Sequence, residues 1–115
     1  MKYYKLTLEV FKGYQDTNLR LAPAETEKCY VYDSSRVDIH GNKKPIYLPK
    51  SICKVESELY TSYKEKIMDM EVVNEYYKVY LYIPCWWFGK NRAWFTLGEL
   101  ICQNNFYGQY EVVEF

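Results

Sequence analysis

Residues able to do chemistry are few and scattered in this chain. His40 is the sole histidine, sits beside Gly41 in a turn-like stretch and follows Asp38 by two positions. A triad built on it has one candidate base and no supported nucleophile. An Asp38–His40 metal pair lacks a third ligand. Cysteines stand at 29, 53, 85 and 102, with no CxxC pair, so the spacing makes neither a zinc knuckle nor a thioredoxin-like centre. They read as small buried hydrophobes with reduced thiols. No P-loop, dinucleotide fingerprint or deaminase-like cluster occurs, and Ser51 beside Lys50 lacks the glycines of a phosphate cradle. The expectation is a non-enzyme with no catalytic residue, no cofactor and no metal.

Recognition chemistry is better represented. Trp86, Trp87 and Phe88 are consecutive, and helical neighbours point about 100° apart, so one of them must leave the core. Aromatic residues at such positions are typical interface anchors. This makes Trp87, Phe88 and nearby Tyr82 candidate partner-binding residues, with Lys44, Lys50 and Arg92 steering the approach. The alternative within the helix is that Trp86 and Phe88 pack while Trp87 covers an edge. A second constellation is Lys43, Lys44, Lys50 and Lys54 around Tyr47, in an interval from Ile39 to Val55 that holds no acid. Cations mixed with an aromatic ring can hold single-stranded nucleic acid by stacking and phosphate neutralisation; a solvated lysine face is the plainer reading. Glu56 to Glu75 forms an opposite pole, with Glu56, Glu58, Glu65, Asp69, Glu71 and Glu75 against Lys64 and Lys66. Such a stretch could imitate nucleic-acid charge toward a basic groove, or be a solvated edge and loop.

Composition sets the limits. The 115 residues carry 15 basic and 15 acidic side chains, which argues against a polyanion binder working through bulk charge. That length fits one domain, 1–115, with a modest core. Fourteen Tyr, five Phe and three Trp favour strands and contact surfaces, and so many tyrosines cannot all be interior. No apolar run approaches membrane-spanning length, and Met1 opens a polar strand rather than a signal peptide, so a cytoplasmic location is expected.

These residues must be positioned by mostly extended elements. Lys2–Phe11 alternates with strand period, with Leu6, Leu8 and Val10 on one side. Gly13 to Ala24 reads as loop around Pro23. Strands are expected from Glu27 to Tyr32 and from Ile46 to Leu48, paired with each other, with a brief extended piece at Arg36–Ile39 and a turn at His40–Lys43 between them. Ser51–Tyr60 is a weakly amphipathic strand. Ser62 followed by Glu65 allows a helix start within Thr61–Asp69, although an exposed connection fits equally. Met70–Ile83 is the longest strand, one row of which (Tyr76, Tyr80, Tyr82) is core or an exposed aromatic ladder. Pro84 suits the opening of a short helix over 84–90. Ala93–Phe95 reads as a bridge. Thr96 with Glu99 signals a second helix over 97–104, and a strand follows, strongest at Tyr110–Val113. The fold expected is α+β, mainly β: a small curled antiparallel sheet or partly open barrel with these two helices.

Three segments carry a resemblance: Glu25-Thr26-Glu27-Lys28-Cys29-Tyr30, Leu48-Pro49-Lys50-Ser51 and Ile83-Pro84-Cys85-Trp86. Together they resemble a group of small proteins from phages and other mobile elements, with a Glu-Thr-Glu-Lys-Ala-Tyr strand, a Trp-Leu-Pro-Lys-Ser strand and a Pro-Glu-Trp turn. About half the chain is covered; Tyr47 departs from the group's Trp and Cys85 from its Glu. The resemblance implies a mobile-element origin, a β-rich fold and action in the host cytoplasm. By association with other small phage proteins, it implies an anti-CRISPR-like role against an RNA-guided defence nuclease. No catalytic residue carries over. The expected partner is a host protein or ribonucleoprotein complex. A single-strand-binding module and a structural phage component are the other readings, and the oligomeric state is open.

Overall fold

The computed structural model describes residues 1–11, 24–68, 70–90 and 95–115. In chain order they form β1 (Lys2–Phe11), β2 (Ala24–Glu25), β3 (Cys29–Tyr32), β4 (Ile46–Pro49), β5 (Lys54–Ile67), β6 (Met70–Pro84), α1 (Cys85–Lys90), α2 (Leu97–Gln103) and β7 (Glu111–Glu114).

Two open antiparallel sheets result, one of order β5-β6-β1-β7 and one of order β2-β3-β4. This corrects the expected curled sheet or barrel. The edges β5 and β7 do not pair with one another, and no ladder joins the two sheets among the described residues. The mixed, mainly β character and both short helices stand. The physical reason lies at Pro49. It ends β4, and the N–H groups of Ile52 and Cys53 donate to its carbonyl at 3.3 and 2.9 Å. This turn carries the chain out of the small sheet and starts β5 along the edge of the large one.

Period-2 alternation decides what each sheet buries. Leu6 faces Leu81 across the β1–β6 ladder, Tyr4 faces Ile83 and Leu8 faces Val79. Leu6, Leu81 and Ile83 are fully buried against Tyr32, Ile46 and Leu48 of the small sheet and Phe95, Leu100, Ile101 and Phe106 around α2. One face of the large sheet therefore holds the core. Its other face holds Tyr3, Lys5, Thr7 and Glu9 of β1, Lys54, Glu56 and Glu58 of β5, Tyr76, Lys78, Tyr80 and Tyr82 of β6, and Glu111 and Val113 of β7.

The second helix is set locally. Thr96 is its N-cap and accepts from the Glu99 N–H at 3.0 Å. The Glu99 carboxylate does not return to the cap as a capping box would. It accepts from the hydroxyl of Ser35 at 2.8 Å and from its N–H at 3.2 Å, with Arg36 3.8 Å away, which holds its carboxyl below the usual range. At the other end Asn105 lies at φ 59° and the Phe106 N–H reaches the Ile101 carbonyl at 3.2 Å, a Schellman closure that turns Phe106 into the core.

Two further expectations change. Thr61–Ile67 is strand and not a helix start, because β6 offers pairing partners down to Ile67↔Met70, with a register shift between Thr61 and Lys64. The two-residue β2 falls at Ala24–Glu25, so the loop expected to run to Ala24 gives way to strand at its last residue. Arg36–Ile39 contributes only an isolated bridge, Val37↔Lys43. The loop expected over residues 13–23, the bridge at Ala93 and Trp94, and Asp69 lie outside the described residues.

Among the described residues the last β1–β6 pair is Phe11↔Tyr76, and β5 and β6 pair on to Ile67↔Met70. The chain's radius of gyration is 16.6 Å, with extents of 56 × 38 × 26 Å; a compact chain of this length would give about 13 Å.

Candidate functional site

The aromatic helix resolves into one outward and two inward rings. Phe88 sits edge-on to Tyr4 and to Phe95, with centroids 5.8 and 5.6 Å apart. Trp87 is half-buried and packs on the same core. Trp86 is the outward residue, 46% exposed, with its indole Nε1–H 3.3 Å from the Met1 Sδ. The 100° step between helical neighbours made one exposed ring inevitable; the Tyr4–Phe88 contact decides that it is Trp86, where the sequence had pointed to Trp87.

Tyr82, expected among the anchors, is only 6% exposed. Phe115 lies edge-on to it at 5.4 Å, and Tyr80 is tilted beside it at 6.5 Å. Burial, then the Glu56 carboxylate, pushes its phenol up. It supports the surface rather than forming it. Tyr76 and Tyr80 are half-buried. The tyrosine row is thus neither core nor a free ladder; it is the lattice of the second face. Lys5 joins that lattice, its Nζ 4.3 Å from the Tyr80 ring centre and 4.0 Å from Glu111. The Tyr80 hydroxyl donates to Glu58 at 3.2 Å. Tyr107 closes the far side, its phenol raised to about 12 by burial and by its hydrogen bond to Glu9.

The lysines divide. Lys43 and Lys44 are exposed on the loop leading into β4, and Tyr47 is 53% exposed on the outer side of the small sheet opposite Val31. Lys50 instead binds Glu25 at 3.0 Å and lies over the Tyr30 ring at 5.5 Å. Lys54 binds Glu56 at 2.7 Å on the second face of the large sheet. Two of the four cations are therefore already matched by carboxylates. Arg92 lies outside the described residues. Among the described residues no three His, Cys, Asp or Glu side chains gather as a metal site would require, and no helix is long and apolar enough to cross a membrane. The Cys53 thiol is buried and pushed up to about 12 by that burial, with Cys29 nearby.

What the geometry does assemble is a patch around β7. Met1 and Phe115 exchange both backbone hydrogen bonds, at 2.9 and 3.0 Å, which fixes the alternation of the β1–β7 ladder. The N–H and C=O of Val112 and Glu114 consequently turn away from β1, with no strand beyond them among the described residues. Flanking this edge are Trp86 (46% exposed), Met1 (59%) and Phe115 (74%) on one side and Val112 (55%) and Tyr110 (46%) on the other. Tyr3 backs Phe115 at 5.5 Å and Tyr4 backs Tyr110 at 5.4 Å, so the exposed rings are braced by half-buried ones. Only the tryptophan repeat hinted at this patch in the sequence. Its other members come from both ends of the chain and meet through the β1–β7 register.

No family model matches the chain, and no curated protein or solved structure does either.

Proposed function

We propose that the chain is a non-enzymatic binding protein that recruits a protein partner along β7 and its flanking aromatic patch. The observation that carries this reading is the pairing of open backbone groups at Val112 and Glu114 with five large apolar side chains exposed around them. An exposed strand edge offers main-chain hydrogen bonds and side-chain contacts to an added segment, and braced aromatic rings give contact area at little entropic cost. The resemblance to phage and mobile-element proteins supports a host protein or nucleoprotein complex as the target, and an RNA-guided defence nuclease as the kind of target. The lysine–tyrosine surface is the lesser candidate, since Lys50 and Lys54 already hold carboxylates.

The test is a tagged capture from host cells, split into nuclease-treated and untreated halves. A protein retained after nuclease, lost with Trp86→Ala and kept with Lys44→Glu, supports the reading. A tryptophan at an interface centre is worth about 2 kcal/mol or more, so the loss should be at least thirtyfold. Recovery of nucleic acid alone, released by moderate salt and by Lys44→Glu, transfers the function to the loop before β4.

A further inference from the structure

The connection from β3 to β4 is a braced finger. The Lys44 N–H donates to the Arg36 carbonyl at 3.0 Å, Val37 bridges Lys43, and the Asp38 N–H donates to the Asn42 carbonyl at 2.8 Å. At the tip the Gly41 N–H closes a turn onto the Asp38 carbonyl at 3.0 Å, with Gly41 at φ 79°, a conformation glycine adopts without strain. The Asp38 carboxylate accepts from the N–H groups of His40 and Asn42 at 2.8 and 3.0 Å. Asp38 and Gly41 are therefore the residues that such a turn needs. Ile39 is not. Turn chemistry makes no demand for isoleucine at the second position, and here it stands 95% exposed, with Val37 60% exposed below it. Every residue from Ser35 to Lys44 is exposed. Charge around the tip has one dominant sign. Arg36, Lys43 and Lys44 are cations, and the one acid among residues 36–44 is Asp38, whose carboxylate is turned into the loop. Alternation sets Val37 and Lys43 on one face of the finger and Arg36 and Lys44 on the other. Arg36 divides its charge with Glu99, 3.8 Å away.

We propose that this finger is a wedge for duplex nucleic acid. Its tip enters the minor groove, Ile39 inserts between two base steps, and Lys43 on one side and Lys44 with Arg36 on the other neutralise phosphates of the two strands. An apolar tip with cations on both faces matches a duplex groove, where two phosphate rows flank stacked bases. A membrane surface is flat and asks for its cations in one plane. One isoleucine is also far less apolar surface than a single myristoyl chain, whose own hold is marginal. A stiff β-branched side chain on a braced turn loses little freedom on insertion. Because the chain's net charge is zero, the contact is local and does not draw on bulk attraction. It suits a second hold on a nucleoprotein target. The inference goes beyond the β7 reading and does not depend on it.

The experiment titrates the full-length chain, at low salt, into a short A·T-rich DNA duplex with a fluorescent adenine analogue at a TA step, the kind of step that unstacks most readily. Emission should rise on binding. Ile39→Leu should preserve the rise, and Ile39→Ser should abolish it and weaken binding about tenfold. Lys43→Gln and Lys44→Gln should each lower the slope of log affinity against log salt by about 1, with the rise kept at saturation. Absence of binding at low salt overturns the inference, as does a rise that Ile39→Ser retains. Two further results overturn it by naming another occupant. One is binding to phosphatidylserine vesicles, lost with Ile39→Ser, in place of binding to the duplex. The other is loss, with Ile39→Ser, of the protein captured after nuclease treatment, which would seat the tip in an acidic protein cleft. The β7 reading is scored separately, by whether that protein is retained by the wild-type chain and lost with Trp86→Ala, so either reading can fail alone.

Discussion

Asn104 joins α2 to the small sheet, and its replacement gives a prediction with a sign that is hard to obtain by accident. Its Oδ1 accepts from the Asp33 N–H at 2.9 Å, while its Nδ2 donates to the Asp33 carbonyl at 3.0 Å and to the Leu100 carbonyl at 2.9 Å. The side chain thus pairs with Asp33 as a strand residue would, just past the end of β3. Asn104→Ala removes all three bonds. At a net value of about 0.5–1.5 kcal/mol each, and with water replacing the more exposed pair in part, the loss should be about 1–3 kcal/mol. Using roughly 2.1 cal/mol/K of unfolding entropy per residue, each kcal/mol lowers Tm by about 4 °C, so a fall of about 4–12 °C is expected. Asn104→Asp separates this mechanism from a simple loss of contacts. The carboxylate keeps the bond from the Asp33 N–H but turns an acceptor toward two carbonyl oxygens, at a helix C-terminus where negative charge is already unfavourable. At neutral pH it should therefore be less stable than Asn104→Ala. As pH falls to the carboxylate range it can protonate and donate again, so the gap should narrow. Urea denaturation of both variants at pH 7 and pH 4 reads this out. If Asn104→Asp is the more stable at pH 7, or Asn104→Ala costs under about 0.5 kcal/mol, the bridge is not what docks α2.

Three other outcomes are expected. Leu81→Ala empties a fully buried position at the centre of the core and should cost about 2–5 kcal/mol in urea melts, with less than 1 kcal/mol indicating that the core lies elsewhere. In the native protein the exposed Cys102 should react rapidly with a thiol reagent, whereas Cys53, buried with its thiol raised to about 12, should react only on unfolding. Because the Glu99 carboxyl is held below its ordinary value in the folded chain, its contribution is present above the carboxylate range and fades as pH falls through it. Glu99→Gln should therefore lower stability at pH 7 and flatten its decline between about pH 5 and pH 3.

The parts of this architecture that depend on near neighbours were readable from the chain. Alternation in Lys2–Phe11 and Met70–Pro84 carries its own period, and Thr96 with Glu99 marks a helix start at a fixed offset. What depends on distant partners was not. Nothing local in β1 says that its neighbours are β6 and β7, yet that order makes the large sheet open and leaves β7 as an edge. Ser62 and Glu65 satisfy the spacing of a capping box, but cross-strand partners on β6 outweigh it. The candidate surface shows the same division. Consecutive Trp86, Trp87 and Phe88 announced one exposed ring, while its identity rests on the packing of Phe88 between Tyr4 and Phe95. Tyr82 had the composition of an anchor, but Phe115 lies across it. The four lysines shared an acid-free interval of sequence, but Lys54 meets Glu56 directly after it and Lys50 meets Glu25, distant in sequence and brought close by the fold.

The central claim is that a protein partner is held along β7 and the Trp86 patch, and amide hydrogen exchange of the chain, free and in the complex retained after nuclease treatment, tests it most directly. Slowed exchange at the outward amides of Val112 and Glu114 and around Trp86, with the amides of residues 43–47 unchanged, is the result expected. Protection confined to residues 43–54, with β7 exchanging as in the free chain, would contradict it.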